Sequence, residues 1–188
     1  VVRAQGAYIH NLEPFWDHYW KNGENDKLGW RLEYNMKHRG DVYATHGLGP
    51  VAQALDIHRG DRMKTLVAMD TKSVVGKSLV EERTGQPCEN FRNGDHTTTL
   101  IRTENGKVIE IQHDVMTPQP YNRLYQLTGT KGFANKYPIE GYALDAKQLN
   151  ASGVAPEVDN LNSHSFMPKK DMEALVQKYQ HPILKKYG

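Results

Sequence analysis

Side chains able to do chemistry concentrate between Tyr34 and Arg62, in the stretch YNMKHRGDVYATHGLGPVAQALDIHRGDR. It gathers His38, Arg39, Asp41, Tyr43, His46, His58, Arg59, Asp61 and Arg62 around two glycine turns. Tyr43 and His46, three apart, stand just before an apolar run that reads as a helix. An imidazole at a helix N-terminus feels the positive end of the helix dipole, which lowers its pKa and keeps it neutral, able to accept a proton. Gly47 and Gly49 would let the backbone approach a ligand closely. The same residues also read as a hydrogen-bonded helix start among solvated charges, and spacing does not separate the two. His38, His46 and His58 are eight and twelve residues apart, which matches no compact metal-ligand motif, so no metal is expected.

Other chemistries leave no signature. No G-x-G-x-x-G follows a strand and no G-x-x-x-x-G-K-[ST] occurs, so no cofactor-binding residues are expected within this chain. H-E-x-x-H, C-x-x-C and the G-x-S-x-G elbow are also missing. The lone Cys88, beside Pro87, has no pattern that would activate it.

Composition narrows the class further. The chain has 188 residues, 24 Lys and Arg against 22 Asp and Glu, and a formal charge of +2. That length suits one domain with a core that needs no disulfides. The near-neutral balance argues against a nucleic-acid partner. No apolar run approaches the ~20 residues of a membrane span. With 38% hydrophobic residues and a mean hydropathy of −0.73, the chain is polar but not disordered in composition. It opens on Val1-Val2 without Met and without a visible signal peptide, as a processed chain or a piece of something longer would.

The elements that must position these residues follow from periodicity. Val1 to His10 reads as a strand, Glu13 to Trp20 as a helix buried on one side, and Asn22 to Lys27 as a polar loop. Trp30 to Tyr34 alternates like a short strand. Thr45 is the expected N-cap of a helix running through Val51 to Ile57. Met63 to Met69 reads as a strand and Ser73 to Arg83 as a helix. His96 to Arg102 and Lys107 to Val115 form a hairpin through Asn105-Gly106, and Arg123 to Thr130 extends that sheet. Ala151 to Ser165 is loop-like, and Pro168 to Tyr179 is amphipathic, with Met172, Leu175, Val176 and Tyr179 on one face. Strands in the middle without βαβα alternation predict an α+β fold: a mainly antiparallel, open-faced sheet with flanking helices.

The string from Tyr34 to Pro50, centred on Tyr43-Ala44-Thr45-His46-Gly47-Leu48-Gly49-Pro50, closely resembles the substrate-domain signature of family 109 glycoside hydrolases. Ala7-Tyr8-Ile9-His10, Arg59-Gly60-Asp61-Arg62, and Pro120-Tyr121 followed by Gly129-Thr130-Lys131-Gly132 match in the same order. These are NAD-dependent α-N-acetylgalactosaminidases of the glucose-fructose oxidoreductase superfamily. The resemblance implies that residues 1–188 are a single substrate-binding and oligomerisation domain cut at both ends, with a Rossmann domain upstream holding the NAD. It implies a sugar ending in N-acetylgalactosamine as partner, pairing of copies through the open sheet, and little or no turnover by the isolated chain. Many relatives are bacterial and exported; the compartment of this one stays open.

The chemistry so implied avoids the paired carboxylates of ordinary glycosidases. Hydride leaves C3 of the sugar, the ketone acidifies the C2 proton, the C1 group is eliminated, water adds, and hydride returns. The resemblance makes His46 the base at the C3 hydroxyl and Tyr8 the candidate for proton transfer at C2. An unperturbed phenol titrates near ~10, so Tyr8 would need nearby positive charge to act as a base. Arg31, twelve residues before Tyr43, matches the substrate-contacting arginine, and Tyr43, Ala44, Thr45 and His46 the binding string. Tyr121 is the last expected site tyrosine, with Tyr125 its rival, while His10 and His113 read as structural. The alternatives are a sugar dehydrogenase of the same superfamily and a non-catalytic carbohydrate-binding or oligomerisation module.

Overall fold

A computed structural model describes residues 1–12, 19–21, 27–154 and 165–188. Most of the expected helix at 13–20, the loop at 22–26 and residues 155–164 of the loop-like stretch lie outside the described residues. The described chain runs β1 (Arg3–Ile9), α1 (Trp30–Lys37), α2 (Thr45–Ala54), β2 (Met63–Asp70), α3 (Val75–Thr84), β3 (His96–Thr103), β4 (Val108–Asp114), β5 (Tyr125–Thr128), β6 (Gly132–Asn135), β7 (Gly141–Leu144), α4 (Ala146–Ser152), α5 (Lys169–Tyr179) and α6 (Pro182–Tyr187). The strands form one sheet in the order β2-β3-β4-β1-β5-β6-β7. Only β1 and β4 pair in parallel; the other described pairs are antiparallel. The architecture is α+β, as the sequence predicts.

Alternation divides the sheet into two unlike faces. Ile101 of β3, Ile109 and Ile111 of β4 and Ala4 of β1 pack under Val51 and Leu55 of α2. Full burial of each large aliphatic there contributes about 1.5–3 kcal/mol. On the opposite face Val67 and Met69 of β2 and Leu100 of β3 stay exposed. A second core lies beyond the end of the sheet, where Tyr8, Leu12, Tyr19, Trp20, Leu32 and Val80 meet Cys88, Val115 and Met116. Burial pushes the Cys88 thiol pKa up, which suits a packing residue rather than a nucleophile.

Several elements differ from the sequence expectations. Trp30 to Tyr34 is the first part of helix α1, not a strand. The alternation of Trp30, Leu32 and Tyr34 misleads, because Leu32, Asn35 and Met36 are the residues that turn inward, at helical spacing. Helix α2 starts at Thr45, earlier than expected, and Ala44 rather than Thr45 occupies the N-cap, with no side-chain cap bond. Pro50 lies inside it, and having no N–H it cannot close the turn onto the His46 carbonyl. Helix α3 is capped from a distance: buried Asp95 accepts hydrogen bonds from the N–H groups of Val74, Val75 and Gly76 at 2.9, 2.9 and 3.0 Å. Strands β6 and β7 and helices α4 and α6 carry no strong period and were not expected. Ala151 and Ser152 belong to the end of α4 rather than to a loop. In α5, Met172 and Leu175 pack inward as expected, whereas Val176 and Tyr179 stay exposed.

The glycine-rich start of α2 serves packing. A Cβ on Gly6 of β1 would lie 2.1 Å from the Gly47 carbonyl oxygen, and one on Gly47 would meet Ile111 at 3.0 Å and the Ala7 backbone at 3.4 Å. Gly47 therefore admits strand β1, not a ligand, and nothing lies within 4 Å of a Cβ on Gly49. Gly6→Ala should cost about 1–3 kcal/mol or more through overpacking. Gly49→Ala should cost less, since its Cβ meets no other segment and only the following Pro50 crowds it. Urea unfolding of the two variants checks this contrast, and equal stabilities would contradict it.

Candidate functional site

Strand β1 ends at the site. Tyr8 stands opposite His113 of β4 in the parallel register, and His10 follows Tyr8 on the same side of the strand. The Gly6–Gly47 contact lays the first turn of α2 across β1 and brings the His46 ring to 4.6 Å from that of Tyr8. Tyr43, just before α2, closes the triangle at 5.6 Å from Tyr8 and 4.9 Å from His46. Its backbone N–H donates to the Asp41 carboxylate at 3.1 Å, which fixes the approach to the helix.

Arg31 arrives on α1, a helix anchored by amides. Asn35 donates to the Arg31 carbonyl at 2.8 Å and accepts from Asn93 at 2.8 Å, and both asparagines are buried. The guanidinium then lies between two rings, 4.7 Å from the centre of Trp30 and 5.1 Å from that of Tyr43. A second arginine comes from the segment before β5: Arg123 stands 5.3 Å from the Tyr8 ring and 5.6 Å from the Tyr121 ring. Tyr121 packs edge-on to His10 at 4.8 Å. The Tyr8 hydroxyl and His10 Nδ1 are 3.2 Å apart. Tyr8, Tyr43, Arg31, Trp30, Tyr34 and His113 are among the residues lining a cleft here, and His46 meets that wall through the two tyrosines.

Burial and the arginines set the protonation of the cluster. Burial is the largest influence on His46 and lowers its pKa, and Arg123, Arg31 and His10 lower it further. His10 is lowered too, by burial and then by Arg123. A neutral His46 was expected from the helix dipole; burial and the two arginines are sufficient cause. For Tyr8, burial raises the pKa and outweighs the pull of Arg31 and Arg123, so the phenol keeps its proton. The positive charge that the sequence reading asked for is present, yet it does not make Tyr8 a phenolate. Beneath Tyr8, burial lowers the pKa of His113 and raises that of Asp41. His113 Nε2 is buried 3.9 Å from Asp41 Oδ1, too far for a hydrogen bond. It and Arg123 Nε are buried polar atoms without a hydrogen-bond partner among the described residues. A buried group of this kind costs about 1–3 kcal/mol unless water or a ligand reaches it.

The structure thus brings Tyr8, Arg31, Tyr43, His46 and Tyr121 together. Tyr125 packs instead beside the core under α2, with Val51 and Leu55. Thr45 is exposed, and Ala44 takes part as the helix cap. The dense polar stretch divides in two: His58, Arg59, Asp61 and Arg62 sit at the far end of β3 and β4, by the Asn105 turn. There burial opposes ionisation of Asp61, but the Asn105 and Arg62 N–H groups, the Thr103 hydroxyl and Lys107 hold its pKa at about 2. Sequence reasoning missed Arg123, which no motif marks, and held His10 and His113 as structural. The period of β1 places His10 beside Tyr8; His113 is visible only through strand pairing.

The model of the glycosyl hydrolase 109 C-terminal domain matches residues 1–188. The chain belongs to glycosyl hydrolase family 109. Relatives include glycosyl hydrolase family 109 proteins 5 and 3 of Phocaeicola vulgatus, 85% identical over 188 residues and 61% identical over 191 residues, each covering 100% of this chain. The family 109 protein of Porphyromonas gingivalis is 57% identical over 183 residues, 97% of this chain. The chain spans about a third of the length of these curated relatives, 36%, 34% and 37% respectively. This family 109 domain contains, among its described residues, no helix long and apolar enough to cross a membrane.

Because Arg123 lowers the pKa of Tyr8, His10 and His46 alike, its removal should move all three in one direction. In Arg123→Gln the two imidazoles should titrate at higher pH than in the parent, and the Tyr8 phenol should rise further. Histidine ring NMR across pH 4–9 measures it (about the range spanning the ordinary value). Unchanged His46 and His10 midpoints would contradict the electrostatic account.

Proposed function

We propose that this domain forms the sugar-binding and proton-transferring wall of an NAD-dependent retaining glycosidase that releases α-linked N-acetylgalactosamine by oxidation at C3, elimination, water addition and re-reduction. One observation carries the reading: a neutral imidazole and a protonated phenol held ring against ring between two arginines, His46 and Tyr8 between Arg31 and Arg123. Among the described residues that line the cleft there is no pair of carboxylates of the kind ordinary glycosidases use.

The residues do not fit a dinucleotide. Gly47 at the start of α2 is occupied by strand β1, and among the described residues no glycine-rich turn opens a helix onto the cleft. The cofactor, held by the rest of a longer protein, would supply reversible removal of hydride from a sugar carbon. This chain's own side chains then handle protons and orientation. His46, neutral at rest, accepts the proton of the C3 hydroxyl. Tyr8 cannot act as a standing base, because it already holds its proton. It takes the C2 proton as it passes its own to His10 Nδ1, 3.2 Å away, in the tautomer that carries the imidazole proton on Nε2. Arg31, fixed between Trp30 and Tyr43, presents donors to the developing oxygen charge or the acetamide carbonyl. Tyr121 and Tyr43 complete the walls. Exposed Val67, Met69 and Leu100 on the helix-free sheet face support pairing of copies through that face.

The test uses the full-length protein with an aryl α-N-acetylgalactosaminide in D₂O, following release and the C2 proton by NMR. Cleavage with deuterium at C2 is expected, with the acid limb of the pH profile below the ordinary histidine range, since only neutral His46 accepts a proton. Reduced cofactor accumulating on free sugars without cleavage would contradict the glycosidase reading in favour of a sugar dehydrogenase.

A further inference from the structure

The cleft does not end at Arg31. Trp30 and Tyr34, one turn apart on the outer side of α1, also line it, and both are open to solvent, 64% and 44% exposed. Tryptophan is highly buried on average, so a largely exposed one at a cleft rim is informative. These rings are held in place. Arg31 stands 4.7 Å from the centre of the Trp30 ring, and the same guanidinium reaches Tyr43 deeper in the site. Tyr34 stacks on His38 at 3.9 Å between ring centres with planes 17° apart, and His38 Nδ1 lies 3.0 Å from the Tyr34 carbonyl. The outer side of α1 thus carries Trp30, Tyr34 and His38 at intervals of four, continuous with the cleft wall formed by Arg31, Tyr43 and Tyr8.

We propose that Trp30 and Tyr34 are a stacking platform for the sugar on the leaving-group side of the bond to be cleaved, so that the domain prefers an oligosaccharide over a simple glycoside. The inference rests on the reading that the cleft wall seats N-acetylgalactosamine. Ring faces are electron-rich and flat, and the C–H face of a pyranose is slightly positive and apolar. Exposed rings beside a donor-rich pocket therefore suit a second sugar whose hydroxyls stay in water. Arg31 couples the two places: its guanidinium serves the inner sugar while its flank steadies Trp30.

Full-length protein, Trp30→Ala and Tyr34→Ala are compared on methyl α-N-acetylgalactosaminide and on a disaccharide with the same sugar α-linked to galactose. Affinities are measured by calorimetry and kcat/KM by sugar release. The preference for the disaccharide over the methyl glycoside should fall about tenfold in Trp30→Ala and less in Tyr34→Ala. Trp30→Phe, which keeps a flat ring, should retain most of it and guards against a folding defect. An unchanged preference, or an equal loss on both ligands with both variants folded, overturns the platform. If the unaltered protein neither binds nor cleaves either ligand, the sugar-site reading has failed and the platform falls with it. That outcome is recognised before any variant is made.

Discussion

Backbone-to-backbone contact between Gly6 and Gly47 is the constraint on which the rest of the structure depends. A helix usually packs on a sheet through side chains, several ångströms off the strand. Here a single Cβ on Gly6 would fall 2.1 Å from the Gly47 carbonyl oxygen, so α2 rests directly on β1. Two residues along the strand is Tyr8, and one residue back on the helix is His46. The ring-to-ring distance of 4.6 Å between them is a consequence of that contact. Val51 and Leu55, farther along α2, lock the same geometry by burying themselves over Ile109 and Ile111.

Electrostatics then does what position alone cannot. Arg31 and Arg123 reach the cluster from opposite parts of the chain, one on a helix anchored by Asn35 and Asn93, the other before β5. Burial, reinforced by both arginines at His46 and by Arg123 at His10, keeps the two imidazoles uncharged, and burial also keeps the Tyr8 proton in place. The cluster therefore holds a protonated phenol beside two neutral imidazoles, with the Asp41 carboxylate engaged by the Tyr43 N–H. His113 and Arg123, whose Nε2 and Nε have no hydrogen-bond partner among the described residues, both lie beside the Tyr8 ring.

Much of the fold was legible because periodicity reports burial. The Asn105-Gly106 hairpin, β1, β2, α3 and α5 follow from alternation or helical spacing together with turn residues. Helix α1 was misread because Trp30 and Tyr34 are exposed aromatics, so an apolar alternation pointed to a face that does not exist. Strands β6 and β7 are four residues each, too short for a period to declare itself. At the site, Tyr43 and His46 stand out by local spacing, and Tyr8 and Arg31 by resemblance. Tyr121 was separable from Tyr125 only once β5 was placed, because strand pairing turns Tyr125 toward Val51. Arg123 was invisible: its importance lies in distances to Tyr8 and Tyr121 that only the folded chain creates.

The most direct measurement is a crystal structure of the full-length protein soaked with N-acetylgalactosamine. The account expects the sugar in the cleft with its C2 and C3 edge facing Tyr8 and His46, Arg31 donating to it, and its C1 side toward Trp30. A sugar bound away from these side chains, or seated with C2 and C3 turned out of hydrogen-bond reach of Tyr8 and His46, would contradict it.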